Sequence, residues 1–194
     1  YEDISRVADV ARQAAAHGVK MATPLLVSPG SEQVHLTIQR DGQMATLQQV
    51  GATVLANACG PCIGQWARSD VEEGDVNVIV NSYNRNFPKR NDGFSTTLAF
   101  VTSPETVVAL ALAGTLEFDP INETLTNADG EQVRLVVPEG EELPADGFTP
   151  GESGFVAPPP DGLSIEVVVQ PDSERLQLLE PFPAWDGNDY VELP

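Results

Sequence analysis

With 194 residues, 41% of them hydrophobic, the chain is long enough to bury one sizeable core and carry an appendage. Its 29 acidic against 10 basic side chains leave a formal net charge of −19, a field that disfavours nucleic acids and anionic membranes as partners. No run approaches the roughly 18 consecutive apolar residues of a membrane span, and the N-terminus lacks the basic and apolar regions of a signal peptide, so a soluble protein is expected. The first predicted element is a helix over 4–17, where Ile4, Val7, Ala8, Val10, Ala11, Ala14 and Ala15 recur at helical spacing and Gly18 follows as a stop. Because the chain opens on Tyr1-Glu2-Asp3 rather than Met, it reads as a piece of a longer protein.

Pro24-Leu25-Leu26-Val27-Ser28 is a short apolar run of the buried-strand type. Pro29-Gly30-Ser31 then turns the chain, with Ser31 as N-cap of a helix over 32–40 and a second short helix at 43–50. Three more strands are predicted at 53–56, 77–80 and 98–101. Ser103-Pro104 starts a further helix that Gly114 ends. Strands alternating with helices predict an α/β fold, a parallel β-sheet flanked by helices. In such sheets ligands bind beyond the carboxyl ends of the strands, where the loops after 56 and 80 emerge.

After residue 116 the texture changes. Leu125 to Val133 predicts a hairpin about Asp129-Gly130, and 138–162 is rich in Pro, Gly and acid. Of the acidic side chains 18 lie in 117–194, against 2 basic ones, so the excess charge sits in the tail. It reads equally as a solvated acidic face or as adaptation to high salt. The expected division is an α/β domain over 1–137 and an irregular acidic arm over 138–194, leading towards a further domain. The apolar groups of Arg175 to Phe182 would need a partner surface.

The only two cysteines, Cys59 and Cys62, fall in Asn57-Ala58-Cys59-Gly60-Pro61-Cys62-Ile63-Gly64-Gln65-Trp66. Two cysteines three positions apart make a poor disulfide framework, which favours a reducing compartment and a ligand role. A CxxC by itself is equally a zinc half-site, a dithiol pair, a disulfide or part of an iron–sulfur site. His17 and His35 lie in predicted helices and read as surface residues. About twenty residues on, Ser82-Tyr83-Asn84-Arg85-Asn86-Phe87-Pro88-Lys89-Arg90-Asn91-Asp92 gathers three cations in an otherwise acidic chain. Guanidinium forks suit carboxylates, since they make two parallel charge-assisted hydrogen bonds. Taken alone, the loop is a solvated basic segment or a local ion pair with Asp92. Placed after a parallel strand near a cysteine pair, it becomes a polycarboxylate site.

Asn57 to Trp66, Ser82 to Asp92, Phe100-Val101-Thr102-Ser103-Pro104-Glu105 and Arg175-Leu176-Gln177-Leu178-Leu179-Glu180-Pro181-Phe182 together resemble the aconitase family, aconitate hydratases of the mitochondrial and related bacterial type. The likeness extends over nearly the whole chain and corresponds to the family's third α/β domain and the start of the linker to its mobile C-terminal domain. It implies a hydro-lyase that interconverts citrate and isocitrate through cis-aconitate, acting as a monomer in the mitochondrial matrix or bacterial cytoplasm with no nucleic-acid or membrane partner. It also implies a 4Fe-4S cluster on three cysteines. Cys59 and Cys62 match two of these ligands; the third belongs to a segment outside this chain. Arg85 and Arg90 match carboxylate ligands of the substrate, and Asn84 matches a residue that hydrogen-bonds beside the cluster. The acid and base groups belong to other domains, so this piece alone is expected to be inactive. Pro88-Lys89 departs from the family, where many relatives carry a small residue and Gly. Homoaconitate and methylcitrate-type paralogues share the mechanism. An RNA-binding regulator, and a zinc or dithiol module, are the readings of a different class.

Overall fold

A computed structural model describes residues 1–57, 61–63, 66–83, 87–151, 156–164, 166–177, 184 and 186–187. Residues Tyr1–Gly154 form one unit and Phe155–Pro194 a second. In the first unit, helix α1 (Glu2–Ala16) begins two residues before the expected position, with Glu2 and Asp3 in its first turn where the helix dipole favours negative charge. Its buried stripe of Val7, Ala8, Val10, Ala11 and Ala14 packs on α3 (Gln43–Gln49) and α4 (Pro104–Ala113). Gly18, at φ +70°, reverses the chain so that the Val19 N–H returns to the Ala14 carbonyl at 2.9 Å.

Helix α2 (Glu32–Arg40) starts where Ser31 was expected to cap it: the Ser31 hydroxyl accepts the Val34 N–H at 3.1 Å. Pro104 at the first turn and Gly114 in the left-handed region bound α4 as read from sequence. The core joins α1, α3 and α4 through Leu47, Val50, Val108 and Leu112. Leu47 is wholly buried. Leu47→Ala is therefore expected to destabilise this unit by about 3 kcal/mol, read as a lowered denaturant midpoint.

All four expected strands form, though two are shorter: β1 (Leu26–Val27), β2 (Thr53–Val54), β3 (Asn77–Asn81) and β4 (Thr97–Val101). The pairing differs from a single sheet. Among the described residues β1–β2 and β3–β4 make two separate parallel pairs. Leu25 and Leu26 of one pair and residues 78–80 of the other line a common cavity of about 550 Å³. Val78, Leu98 and Phe100 stay roughly half exposed because no described element covers that side.

The expected hairpin is β5 (Leu125–Thr126) and β6 (Gln132–Val133), antiparallel. The Asn127 carboxamide oxygen accepts the N–H groups of Asp129 and Glu131, and its nitrogen donates to the His17 carbonyl, which docks the hairpin on the end of α1. Residues 138–151, the first part of the expected arm, run along α1 and α2. Glu141 N–H donates to the Ser5 hydroxyl, Thr149 N–H to the Thr37 hydroxyl and Arg40 to the Gly147 carbonyl. In the second unit the described residues are mostly exposed, Leu176 among them; 178–182, the rest of the apolar run, lie outside the described residues. No described helix is long and apolar enough to cross a membrane.

Candidate functional site

The cysteine segment and the arginine segment both leave the carboxyl ends of strands, β2 and β3. On the way to the first, Leu55 N–H donates to the Val27 carbonyl at 2.8 Å. Asn57, with its carboxamide oxygen towards the Glu32 N–H, bridges to both the backbone and the carboxylate of Glu32 at 3.0 Å, tying the segment to the start of α2. Pro61–Ile63 then forms a short 3-10 turn, in which Cys62 carries a free, half-buried thiol. Cys59, Asn84 and Arg85 lie outside the described residues.

Arg90 is 8% exposed. Its guanidinium lies over the rings of Tyr83 and Phe87, at 5.4 and 5.3 Å from their centres. No described carboxylate pairs with it, and its Nε is buried without a partner, as are both carboxamide atoms of neighbouring Asn91. Such orphaned donors are costly unless something anionic or polar meets them. Burial pushes the Tyr83 phenol above its ordinary value; the Cys62 sulfur adds to the rise and the Arg90 cation opposes it. Tyr83 is thus a neutral group standing within electrostatic reach of both Cys62 and Arg90.

The turn that aims Arg90 explains the departure at Pro88-Lys89. Phe87 carbonyl accepts the Arg90 N–H at 3.2 Å, and Lys89, at φ +65°, is the sole described non-glycine residue in the left-handed region. Proline followed by a left-handed residue is the pattern of a type II turn, whose third position suits glycine. Lys89 itself is exposed, so it points away while Arg90 points in. Lys89→Gly is expected to keep the turn and shift stability by no more than about 1 kcal/mol, whereas β-branched Lys89→Val should cost about 1–2 kcal/mol in thermal unfolding.

The two segments are joined directly: Trp66 N–H donates to the Asn91 carbonyl at 3.2 Å. Two residues beyond Trp66, sequence reasoning missed a buried side chain, Arg68, 9% exposed. Arg68, stacked over Trp66 at 5.1 Å, reaches Asp92, Asp70 and Asn77. The hydrogen bonding it donates to Asp70 leads in pushing its guanidinium above the usual arginine value. Asp92, read from sequence as a local partner for the basic loop, pairs instead with Arg68, 24 residues upstream. His17 is exposed at the end of α1; His35 is half-buried in α2.

Among the described residues no three His, Cys, Asp or Glu side chains gather for a metal ion. A complete ligand set built on Cys62 therefore needs donors beyond them. A free thiol and a cation with no partner at its Nε among the described residues, both within electrostatic reach of Tyr83, fit a thiolate-held centre that carries negative charge. The fold and this arrangement define an α/β domain in which a cysteine-bearing turn and an arginine-bearing loop, each leaving the carboxyl end of a strand, are joined through their backbones.

A family model described as the aconitase family (aconitate hydratase) matches residues 1–114. Similar curated proteins include the mitochondrial aconitate hydratases of Gracilaria gracilis, 56% identical, and Saccharomyces cerevisiae, 54% identical, each over all of this chain and 25% of the relative. A probable mitochondrial aconitate hydratase of Caenorhabditis elegans is 50% identical over 193 residues and 24% of its length. The chain belongs to the aconitase family. It spans about a quarter of the length of the curated relatives it matches.

Proposed function

We propose that the full-length protein is a 4Fe-4S-dependent hydro-lyase that interconverts citrate and isocitrate through cis-aconitate, and that this chain supplies part of its cluster and substrate site. Cys59 and Cys62 are two of the three thiolate ligands, the third coming from outside this chain. Arg85 and Arg90 hold carboxylates of the substrate, and Asn84 hydrogen-bonds beside the cluster. The bound cluster supplies a Lewis acid. The observation that carries this reading is the meeting of the Cys62 and Arg90 segments, through the Trp66–Asn91 hydrogen bond and around the shared neighbour Tyr83.

Arg90, with no carboxylate partner among the described residues, meets a trianionic substrate in a half-dry setting, where charge-assisted hydrogen bonds are strongest. The flanking rings hold its fork before substrate arrives, which limits the side-chain entropy lost on binding. Tyr83, a phenol neutral at physiological pH that burial pushes further from ionising, adds no repulsion to that carboxylate. The overall charge of −19 works against a multiply charged anion, so attraction has to come from this local cationic loop.

The acid and base groups come from the remaining domains, which are this chain's partners, and the enzyme works as a monomer in the mitochondrial matrix. Full-length protein reconstituted without oxygen should contain iron and acid-labile sulfide in equal amounts and hydrate cis-aconitate, while residues 1–194 by themselves should not. Zinc in place of iron, without turnover, would defeat the reading in favour of a zinc module. Polyanion binding at low salt by cluster-free protein would revive the RNA-binding alternative.

A further inference from the structure

The stretch from Asn81 to Thr97 has to run from the carboxyl end of β3 back to the start of β4, because the two strands are parallel. Arg90 lies on that return path, and no helix among the described residues braces it. What braces it is a closed ring of side chains. Arg68 Nη1 donates to Asn77 Oδ1 at 2.6 Å; Asn77 Nδ2 donates to Thr97 Oγ1 at 3.0 Å. Thr97 Oγ1 donates in turn to Asp92 Oδ2 at 2.7 Å, which also accepts from Arg68 Nη1 at 3.3 Å. The other Asp92 oxygen accepts the Phe94 N–H at 3.0 Å.

The ring is dry: the side chains are 9% exposed for Arg68 and 1% for Asp92. A buried ion pair is poor evidence of net stabilisation, since desolvation offsets the attraction; its better-attested use is to set register. Here the pair joins two segments far apart in sequence, Trp66-Ala67-Arg68 leaving the cysteine turn and Arg90-Asn91-Asp92 leaving the arginine turn. The Trp66–Asn91 backbone bond lies between them. Asn77 and Thr97 are opposite partners at the start of the β3–β4 pair, so the ring anchors both segments to the sheet.

We propose that Arg68 and Asp92 are positioning residues, holding the Arg90 segment in register with the Cys62 segment so that the Arg90 fork meets a substrate carboxylate. The inference rests on the proposed function and deepens it at the same site. A shift of about an ångström in a gripping residue is enough to cost one to two orders of magnitude in productive binding.

The test uses the full-length, reconstituted protein and calorimetric binding of propane-1,2,3-tricarboxylate, which lacks the hydroxyl group and does not react, with iron content and thermal unfolding measured alongside. Asp92→Asn and Arg68→Gln should each weaken binding about tenfold with iron content unchanged. In an Arg90→Lys background the same substitutions should add less than twofold, a non-additivity that a general loss of stability does not produce. Asp70→Asn, which removes the 65%-exposed partner of Arg68, should change binding less than twofold. If Arg68→Gln does not fold, Asp92→Asn, which keeps the side-chain shape and an acceptor for Phe94, is read by itself. Parental affinity in Asp92→Asn, full additivity with Arg90→Lys, or loss of iron along with binding would each overturn the inference. Parental affinity in Arg90→Lys alone would instead overturn the functional reading beneath it.

Discussion

Full-length protein carrying Cys62→Ser is expected to retain its fold, lose its iron and sulfide, and fall by more than about a thousandfold in cis-aconitate hydration. Serine is nearly isosteric with cysteine, and Cys62 is half-buried in a short 3-10 turn rather than packed in the core, so unfolding is not the expected route of failure. The loss is chemical. A hydroxyl keeps its proton at neutral pH where a thiol beside a metal gives it up, so the soft, anionic donor disappears. A Lewis acid contributes several kcal/mol to the charge that develops in such a reaction, which corresponds to three orders of magnitude or more in rate. Cys59→Ser should behave alike. Normal iron content and turnover in Cys62→Ser, measured on anaerobically reconstituted protein, would remove this residue from the ligand set.

Arg90→Lys should leave iron content unchanged and raise the citrate KM about 10- to 100-fold, with turnover reduced as well. The ammonium keeps the charge but not the planar fork, so one of two parallel hydrogen bonds to a carboxylate is lost, at about 1.5–3 kcal/mol for a charged pair. It also loses the flat face that lies over Tyr83 and Phe87. A free ammonium in a site 8% exposed is then less well oriented and more expensive to desolvate. The same exchange at Arg85 is expected to weaken binding in the same direction. Steady-state kinetics indistinguishable from the parent would show that the buried guanidinium serves the loop and not the substrate.

Local signals were read well because their causes are local. Ser31 caps α2 through a hydroxyl three residues from its partner, and Gly18 and Gly114 end helices because each adopts a left-handed backbone. Asn127 shapes its hairpin through contacts within four residues, Asp129 and Glu131. Strand lengths were read less well. Pro24-Leu25-Leu26-Val27-Ser28 looks like one apolar strand, yet a ladder needs an edge to pair with, and only Leu26 and Val27 find one on β2. Lys89 was visible as a departure from the family pattern, but the left-handed turn that makes glycine the easier residue there is a backbone angle, which no residue name states.

The candidate site divides in the same manner. Two thiols and three cations in short runs, each following a strand, marked these segments through residue type and spacing, while what they would hold came from the family resemblance. The residues that tie those runs together did not announce themselves: Asp92 stands beside the cations of its own loop yet binds Arg68, and Trp66 holds Asn91 through its backbone. Residue type and short-range spacing determined the helices, the caps, the strand positions and the chemistry on offer, since these depend on dihedral preferences and on contacts a few residues apart. Tertiary structure decided which strands pair, which apolar face stays open and which carboxylate meets which guanidinium. Those choices depend on desolvation and on distances closed only when segments remote in sequence pack against each other.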